Sequence, residues 1–267
     1  MDSHTITPRP AAEAARRAGV RLVGAPGARS LWFGEPAPDT FLEGLRETEV
    51  TAADYAGADL MFVPYLSAHS PYHCSAEQIR LVKAACRARG WLFGIHLAEC
   101  QEEVELIRRW TGMTPTEYLD SLDVLDERTL VAHAVFLSDG DIRRLADRGS
   151  HIAHCPKSNA KLGDGIAPVP LCLRHGVVVA LGTDSMVSNN NLDMLEEMRF
   201  GVLIHRGAHR DPRILTAREC FEMATTRGAQ AIGLSDRIGS LRPGMRADLT
   251  LLELKPPLGM TEQAVLS

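Results

Sequence analysis

The chain has 267 residues, a formal net charge of −5 and a hydrophobic fraction of 45%. That length is enough for one barrel-sized α/β domain or two smaller ones, and the hydrophobic content is ordinary for a globular core. The acidic balance and the scattered basic residues provide no long-range attraction for nucleic acid or an anionic membrane. We therefore expect neither as a partner.

The cysteines and the N-terminal residues predict a cytoplasmic location. None of the six cysteines forms a C-x-x-C pair, and several lie within apolar strand or helix patterns, as reduced thiols do. The first residues do not show the basic and then apolar pattern of a secretory leader, and no apolar run reaches the roughly 18 residues that span a bilayer. A reducing compartment is the expected environment.

Strands and helices are predicted to alternate along the chain. In chain order they are a helix over 10–18, a strand over 20–23, a strand over 60–66, a helix over 75–89, a strand over 92–97, a helix over 101–111, a strand over 129–134, a helix over 138–148, a strand over 150–154, a loop and helix up to 175, and a strand over 177–182. This order favours a parallel sheet covered by helices.

The six predicted strands are two fewer than the eight or so of a closed (β/α) barrel. We expect a TIM-like barrel that lacks its first two strands, with further helices over 191–204 and 216–232. The Pro-Gly turn and the apolar run within 239–253 predict one strand of a small β-sandwich remnant. The expected division is a barrel domain at 1–235 and the sandwich remnant at 236–267.

Two histidines and an aspartate follow apolar strands at equivalent places. His96 and His133 end two successive predicted strands, and Asp184 follows the last one. One isolated histidine at a strand end is more often structural, but the repetition on later strands favours a shared site at the barrel mouth. This arrangement predicts a metal-dependent hydrolase.

These side chains suit different tasks. A neutral imidazole such as that of His96 suits a divalent ion, with zinc as the first choice and iron as the alternative. Glu99, three residues later, could relay protons without being a ligand. His133 could bind the metal or stabilise the oxygen that gains charge during attack. An ionised Asp184 needs a metal or a cation beside it, although a helix N-cap is its structural alternative.

The other histidines are less clearly placed. His69 follows the strand over 60–66 and is expected to contact substrate at the same barrel mouth. His154 is expected either to support a metal ligand or to be structural, and Cys155 is expected to pack in the core. We expect surface or structural roles for His4, His73, His175, His205 and His209.

The motifs resemble those of the amidohydrolase superfamily. The matching segments are HLAE at 96–99, AHCPKSNAKLGDGIAPVP at 153–170, LGTDSMVSNNNLDMLEEMR at 181–199, and the GA-x-A-x-GL and IGSLRPGMRADL pattern within 228–249. The resemblance covers about 10–253 and is greatest to the branch of S-adenosylhomocysteine and methylthioadenosine deaminases and triazine hydrolases.

The resemblance implies a role for each residue. His96 and Asp184 would bind the metal together with a His-x-His on the first strand, and the ion would activate water for attack on a ring carbon that carries an amino or halide group. Glu99 would protonate the ring nitrogen, His133 would steady the attacking oxygen, Asp184 would accept the proton of the water, and His69 would contact substrate.

Two departures from the family pattern limit the expectation. The chain contains no His-x-His, and the absence of these two ligands should weaken metal binding severely. The arginines with which nucleoside deaminases bind substrate lack clear counterparts around 24–32, so specificity for adenosylhomocysteine does not carry over.

Two hypotheses remain open. The chain is either an aminohydrolase of a purine nucleoside-like or other N-heterocyclic substrate, or a non-catalytic scaffold that binds a ligand or a protein. Under either hypothesis, exposed strand edges of an open barrel predict a homo-oligomer or a partner chain that supplies the missing strands.

Overall fold

The computed structural model describes residues 8–24, 41–55 and 61–253, and the backbone alone of 27–28, 31–32 and 35–36. The main strands are β1 (Leu22–Gly24), β5 (Phe62–Ala68), β6 (Leu92–Leu97), β7 (Thr129–His133), β8 (His151–His154) and β9 (Val179–Leu181). Three two-residue strands lie between β1 and β5: β2 (Gly27–Ala28), β3 (Leu31–Trp32) and β4 (Glu35–Pro36).

Helices follow or separate these strands. They are α1 (Pro8–Ala18), α2 (Phe41–Asp54), α3 (Ala76–Arg89), α4 (Gln101–Thr111), α5 (Pro115–Ser121), α6 (Asp139–Asp147), α7 (Pro156–Leu162), α8 (Val169–Arg174), α9 (Met186–Asn189), α10 (Met194–His209), α11 (Ala217–Ala224) and α12 (Thr226–Ala231). The six predicted strands and their alternation with helices are confirmed, whereas α2, α5 and α9 are additional.

The main strands pair in chain order and all in parallel, β1-β5-β6-β7-β8-β9, while β2 extends the pairing along β5. This is the expected partial TIM-like barrel. In the part of the chain that the structure describes, β1 and β9 each have a main-strand neighbour on one side only. Because the strands are parallel, the residues that follow β6, β7 and β9 lie at the same edge of the sheet.

Local signals explain where several elements begin and end. Ser75 caps α3 by accepting a hydrogen bond from the backbone N–H of Gln78, and Gly90 ends the helix in the left-handed conformation. The predicted start of this helix is therefore confirmed. At the start of α5, the N-cap Thr114 and Glu117 form a reciprocal capping box that spans Pro115.

The apolar core has two parts. The larger joins the buried side chains of the sheet to the helices, with Phe93, Val131 and Ile152 fully or almost fully buried. The smaller cluster joins strand residues such as Tyr65 and Leu130 to Ala231 of α12. The helices thus hold in place the strands whose ends carry the candidate site residues.

The C-terminal segment differs from the expectation. A strand is predicted within 239–253, but the structure assigns none there, and Leu249 and Leu251 are exposed. A strand requires a hydrogen-bonded neighbour, and none of the described strands is one. The segment is held instead by Asp248, whose carboxylate accepts two hydrogen bonds of 2.8 Å from Arg21. The division at residue 235 stays a prediction.

Candidate active site

The backbone takes the left-handed conformation where each of three strands meets the site. The φ angles are +50° at Ala98, +70° at His133, +54° at Ala134 and +60° at Asp184. Few residues other than glycine adopt this region, and such residues are concentrated at functional sites. The backbone therefore turns sharply at or beside the residues that the sequence predicts to be reactive.

His96 is held in one tautomer. Its Nδ1 lies 2.6 Å from the carbonyl oxygen of His69. A carbonyl can only accept, so Nδ1 carries the hydrogen and Nε2 of the neutral ring keeps a lone pair. The ring stacks between those of His69 and His133, at centroid distances of 4.7 and 5.3 Å. The structure brings these three predicted site residues together.

Glu99 and His133 form the second group. The Glu99 Oε1 atom lies 3.4 Å from Nε2 of His133, and the His133 side chain is only 1% exposed. Burial raises the pKa of the Glu99 carboxyl, with His133 opposing and Asp164 and Asp184 adding to the rise. Glu99 is thus a carboxyl group that retains its proton more readily than usual, which suits a general acid.

Asp184 has the opposite character. Its two carboxylate oxygens accept hydrogen bonds from the Ser158 hydroxyl at 2.6 Å and from the Ser185 backbone N–H at 2.7 Å. Burial by itself would raise the pKa of Asp184, but Ser158, His133, Ser185 and His96 together lower it. An acid and an ionised carboxylate therefore lie near the same histidine.

The donor set fits part of a metal site. An imidazole nitrogen such as Nε2 of His96 and an ionised carboxylate such as that of Asp184 are the kinds of ligand that zinc takes. Across the described residues, however, no group of three or more His, Cys, Asp or Glu side chains could hold a metal ion. This agrees with the missing His-x-His, so the two residues amount to an incomplete coordination set.

Three polar residues that support the site are not predicted from the sequence. Ser158 and Asn159 contact Asp184 and His133, at 2.6 and 2.8 Å. Glu103 is fully buried and accepts hydrogen bonds from the backbone N–H groups of Ala98 at 2.7 Å and Glu99 at 3.0 Å. Its position in the first turn of α4, typical of a capping glutamate, is the one sequence signal that could have identified it.

Several of the remaining histidines lie beside another histidine. His73 contacts His69, with 3.1 Å between their Nδ1 atoms. His154 is buried beside His205, with 3.2 Å between their Nε2 atoms, and burial lowers the pKa of His154 well below its ordinary value. This neutral pair joins β8 to α10, which favours the structural interpretation of both. Burial raises the pKa of the Cys155 thiol far above its ordinary value, as expected of a packing residue.

Comparison with known proteins places this geometry in a family. Residues 2–266 match the model of the amidohydrolase family. A 5-methylthioadenosine/S-adenosylhomocysteine deaminase of Pelotomaculum thermopropionicum is 46% identical over 201 residues, which are 75% of this chain and 46% of that protein. A 5'-deoxyadenosine deaminase of Methanopyrus kandleri is 38% identical over 246 residues, 92% of this chain and 56% of that protein.

Solved structures show the same fold. An adenosine deaminase from Xanthomonas campestris with bound zinc has a TM-score of 0.83 and 27% identity, over 96% of this chain and 58% of that one. The atrazine chlorohydrolase TrzN from Arthrobacter aurescens, complexed with zinc, has a TM-score of 0.84 and 26% identity, over 95% and 58%. The chain spans about half the length of the curated relatives it matches. From the matched residues and the shared fold we conclude that the chain belongs to the amidohydrolase family.

Proposed function

We propose that this chain belongs to a metal-dependent aminohydrolase and carries the side chains that transfer protons in its reaction. The reaction adds water to a ring carbon of a purine nucleoside-like or other N-heterocyclic substrate and releases ammonia. The observation that supports it best is the pairing of Glu99, whose pKa is raised, with His133, while the pKa of nearby Asp184 is lowered. The names of the relatives support this substrate class.

His96 and Asp184 are the proposed ligands of one divalent ion, with zinc as the first choice and iron as the alternative. Zinc in two related structures supports that order. A divalent ion at this place would supply a nucleophile from water at neutral pH. The hydrogen bond from His96 Nδ1 to His69 orients the ring toward such an ion.

The proton steps are assigned to this chain's own side chains. Asp184 accepts a proton from the attacking water, because its carboxylate is ionised. Glu99 delivers its proton to the ring nitrogen, and Asp184 passes the proton that it took from water to the amino group, which leaves as ammonia. The hydroxyl of the adduct returns a proton to Glu99 as the carbonyl forms. His133 can donate a hydrogen bond from Nε2 to the oxygen that gains negative charge when its ring is cationic, with both nitrogens protonated. His69, stacked on His96, is the proposed substrate contact.

The incomplete coordination set favours a second candidate. The described residues hold no group of three metal ligands, and a ligand-binding or protein-interaction scaffold would need none. This candidate predicts a chain that folds and binds purine-like ligands without releasing ammonia.

Metal content and ammonia release distinguish the two candidates. We expect the purified chain to bind zinc or iron, and both His96→Ala and Asp184→Ala to lose the ion and the release of ammonia from adenosine-like and triazine substrates. His175→Ala is the matched control, because His175 is the C-cap residue of α8 and contacts Asp139, which is not a site residue. A chain without metal or activity, in the presence of added zinc, would contradict the proposal.

The partner chains and the cellular location of the protein are also proposals. A homo-oligomer, or a partner chain that supplies further strands and ligands, would complete the site. No helix among the described residues is long and apolar enough to cross a membrane. A cytoplasmic location is proposed from the cysteines, all six of which are free thiols.

A further inference from the structure

The motif at 151–159, which forms β8 and the start of α7, is the most distinctive of the sequence, yet the proposed reaction uses none of its side chains. Its two central polar residues, Ser158 and Asn159, are both fully buried. Each contacts a different site residue, and those two site residues come from different strands. We propose that Ser158 and Asn159 are positioning residues that set the orientation of Asp184 and the tautomer of His133. The inference rests on the proposed function for its catalytic meaning.

Asn159 acts on His133. The Asn159 Oδ1 atom lies 2.8 Å from His133 Nδ1. An amide oxygen only accepts, so it keeps the hydrogen of the neutral ring on Nδ1 and leaves a lone pair on Nε2. That Nε2 atom is the one 3.4 Å from Glu99 Oε1. Asn159 thereby presents a proton acceptor to the carboxyl group whose burial favours its protonated form.

Ser158 acts on Asp184. Its hydroxyl donates to Asp184 Oδ2 at 2.6 Å, while the Ser185 N–H holds Oδ1 at 2.7 Å. Both carboxylate oxygens are thus held from within the protein, and the side chain cannot rotate without breaking a charge-assisted hydrogen bond. Asp184 has a φ of +60°, so its backbone also needs support to keep this conformation.

The first turn of α7 is itself fixed from the opposite side. The buried Glu197 of α10 accepts hydrogen bonds from the Lys157 backbone N–H at 2.9 Å and from Asn189 at 2.8 Å. Asn189 also donates to the carbonyl of Thr183 at 2.6 Å, directly before Asp184. One network therefore holds the backbone directly before Ser158 and directly before Asp184, as a rigid support requires.

The tautomer of His133 provides a test that needs neither metal nor activity. Long-range ¹⁵N–¹H NMR of the full chain, assigned by the signal lost in His133→Gln, distinguishes a hydrogen on Nδ1 from one on Nε2. We expect the Nδ1–H form in the wild type and in Asn159→Asp, which keeps an acceptor. Asn159→Ala should populate the Nε2–H form. If Asn159→Ala does not fold, Asn159→Ser keeps a polar group too short to reach the ring. An unchanged tautomer in the shortened variant overturns the role of Asn159.

Zinc affinity and kinetics test Ser158. We expect Ser158→Ala to bind zinc about 10- to 100-fold more weakly and to lower kcat by a similar factor with KM little changed. Ser158→Thr, which keeps the hydroxyl, should recover most of the loss. Ser121→Ala, on the exposed end of α5, is the matched control. Equal zinc affinity and kcat in the wild type and Ser158→Ala overturn the role of Ser158. A wild type without zinc or activity counts against the proposed function, and the NMR result then decides the inference.

Discussion

Glu99 shows at the residue scale how burial changes what a carboxyl group can do. An exposed glutamate is ionised at neutral pH, whereas partial desolvation makes the charged form of Glu99 costly and raises its pKa. Asp184 is also partly buried, but the hydrogen bonds from Ser158 and Ser185 stabilise its charge. Two carboxyl groups at one site thus favour opposite protonation states, the arrangement that separates acid from base.

Replacing Glu99 should therefore remove proton transfer while leaving the fold intact. We expect Glu99→Gln to lower kcat by about 10²- to 10⁴-fold. Steady-state ammonia release is the measurement, and Glu102→Gln, on an exposed neighbour in the first turn of α4, is the control. A kcat within twofold of the wild type for Glu99→Gln would exclude Glu99 as the acid.

The same residue predicts the direction of the pH dependence. A general acid works only while protonated, so the rate that depends on Glu99 is present below its raised pKa and is lost as the pH rises through that value. The kcat/KM profile of the wild type should show this falling limb, and the profile of Glu99→Gln should lack it. A limb that persists in the variant would assign it to another group.

At the scale of single elements, α4 positions Glu99 through Glu103. The Glu103 carboxylate accepts both backbone N–H groups at the turn between β6 and α4, where Ala98 has a φ of +50°. Burial raises the pKa of Glu103 to about 8, and the two backbone donors oppose this rise. The turn that directs Glu99 into the site therefore depends on a buried ionisable group.

This burial predicts a pH dependence of stability. The pKa of Glu103 is about 8 in the folded chain against an ordinary 4.5. Between these two pH values the folded chain therefore keeps a proton that the unfolded chain releases. Its contribution to the free energy of unfolding is complete below pH 4.5 and is lost as the pH rises toward 8. Urea unfolding across this range should show a smaller decline in Glu103→Gln than in the wild type. Parallel curves would contradict the assignment.

At the scale of the whole molecule, the sheet ends in strands that each have one main-strand neighbour. Within the described residues these are β1 and β9, the first and last of the six parallel strands. Unpaired backbone groups on such edges favour pairing with another chain.

We expect the chain to associate in solution. Size-exclusion chromatography with light scattering should show dimers or larger species that increase with concentration. A single sharp peak at the mass of one chain, unchanged over a hundredfold range of concentration, would contradict this prediction.

Much of this protein can be predicted from its sequence. The alternation of apolar runs with helical patterns correctly predicts six parallel strands, because burial on both faces makes such strands apolar throughout. The residues that end them, His96, His133 and Asp184, follow from the rule that strand ends form the site. By contrast, the strand expected within 239–253 is absent from the described residues, because pairing depends on a neighbour that local sequence does not specify.

The supporting side chains could be identified only from the tertiary structure. The contacts from Asn159 to His133 and from Ser158 to Asp184 each join residues 26 positions apart, and no periodic pattern relates those positions. The raised pKa of Glu99 and the lowered pKa of Asp184 likewise depend on which groups surround each carboxyl. The sequence by itself determined the succession of strands and helices along the chain and the residue types at the strand ends, since both can be read locally. Only the tertiary structure decided their tautomers and protonation states, because hydrogen bonding and desolvation depend on neighbours distant along the chain.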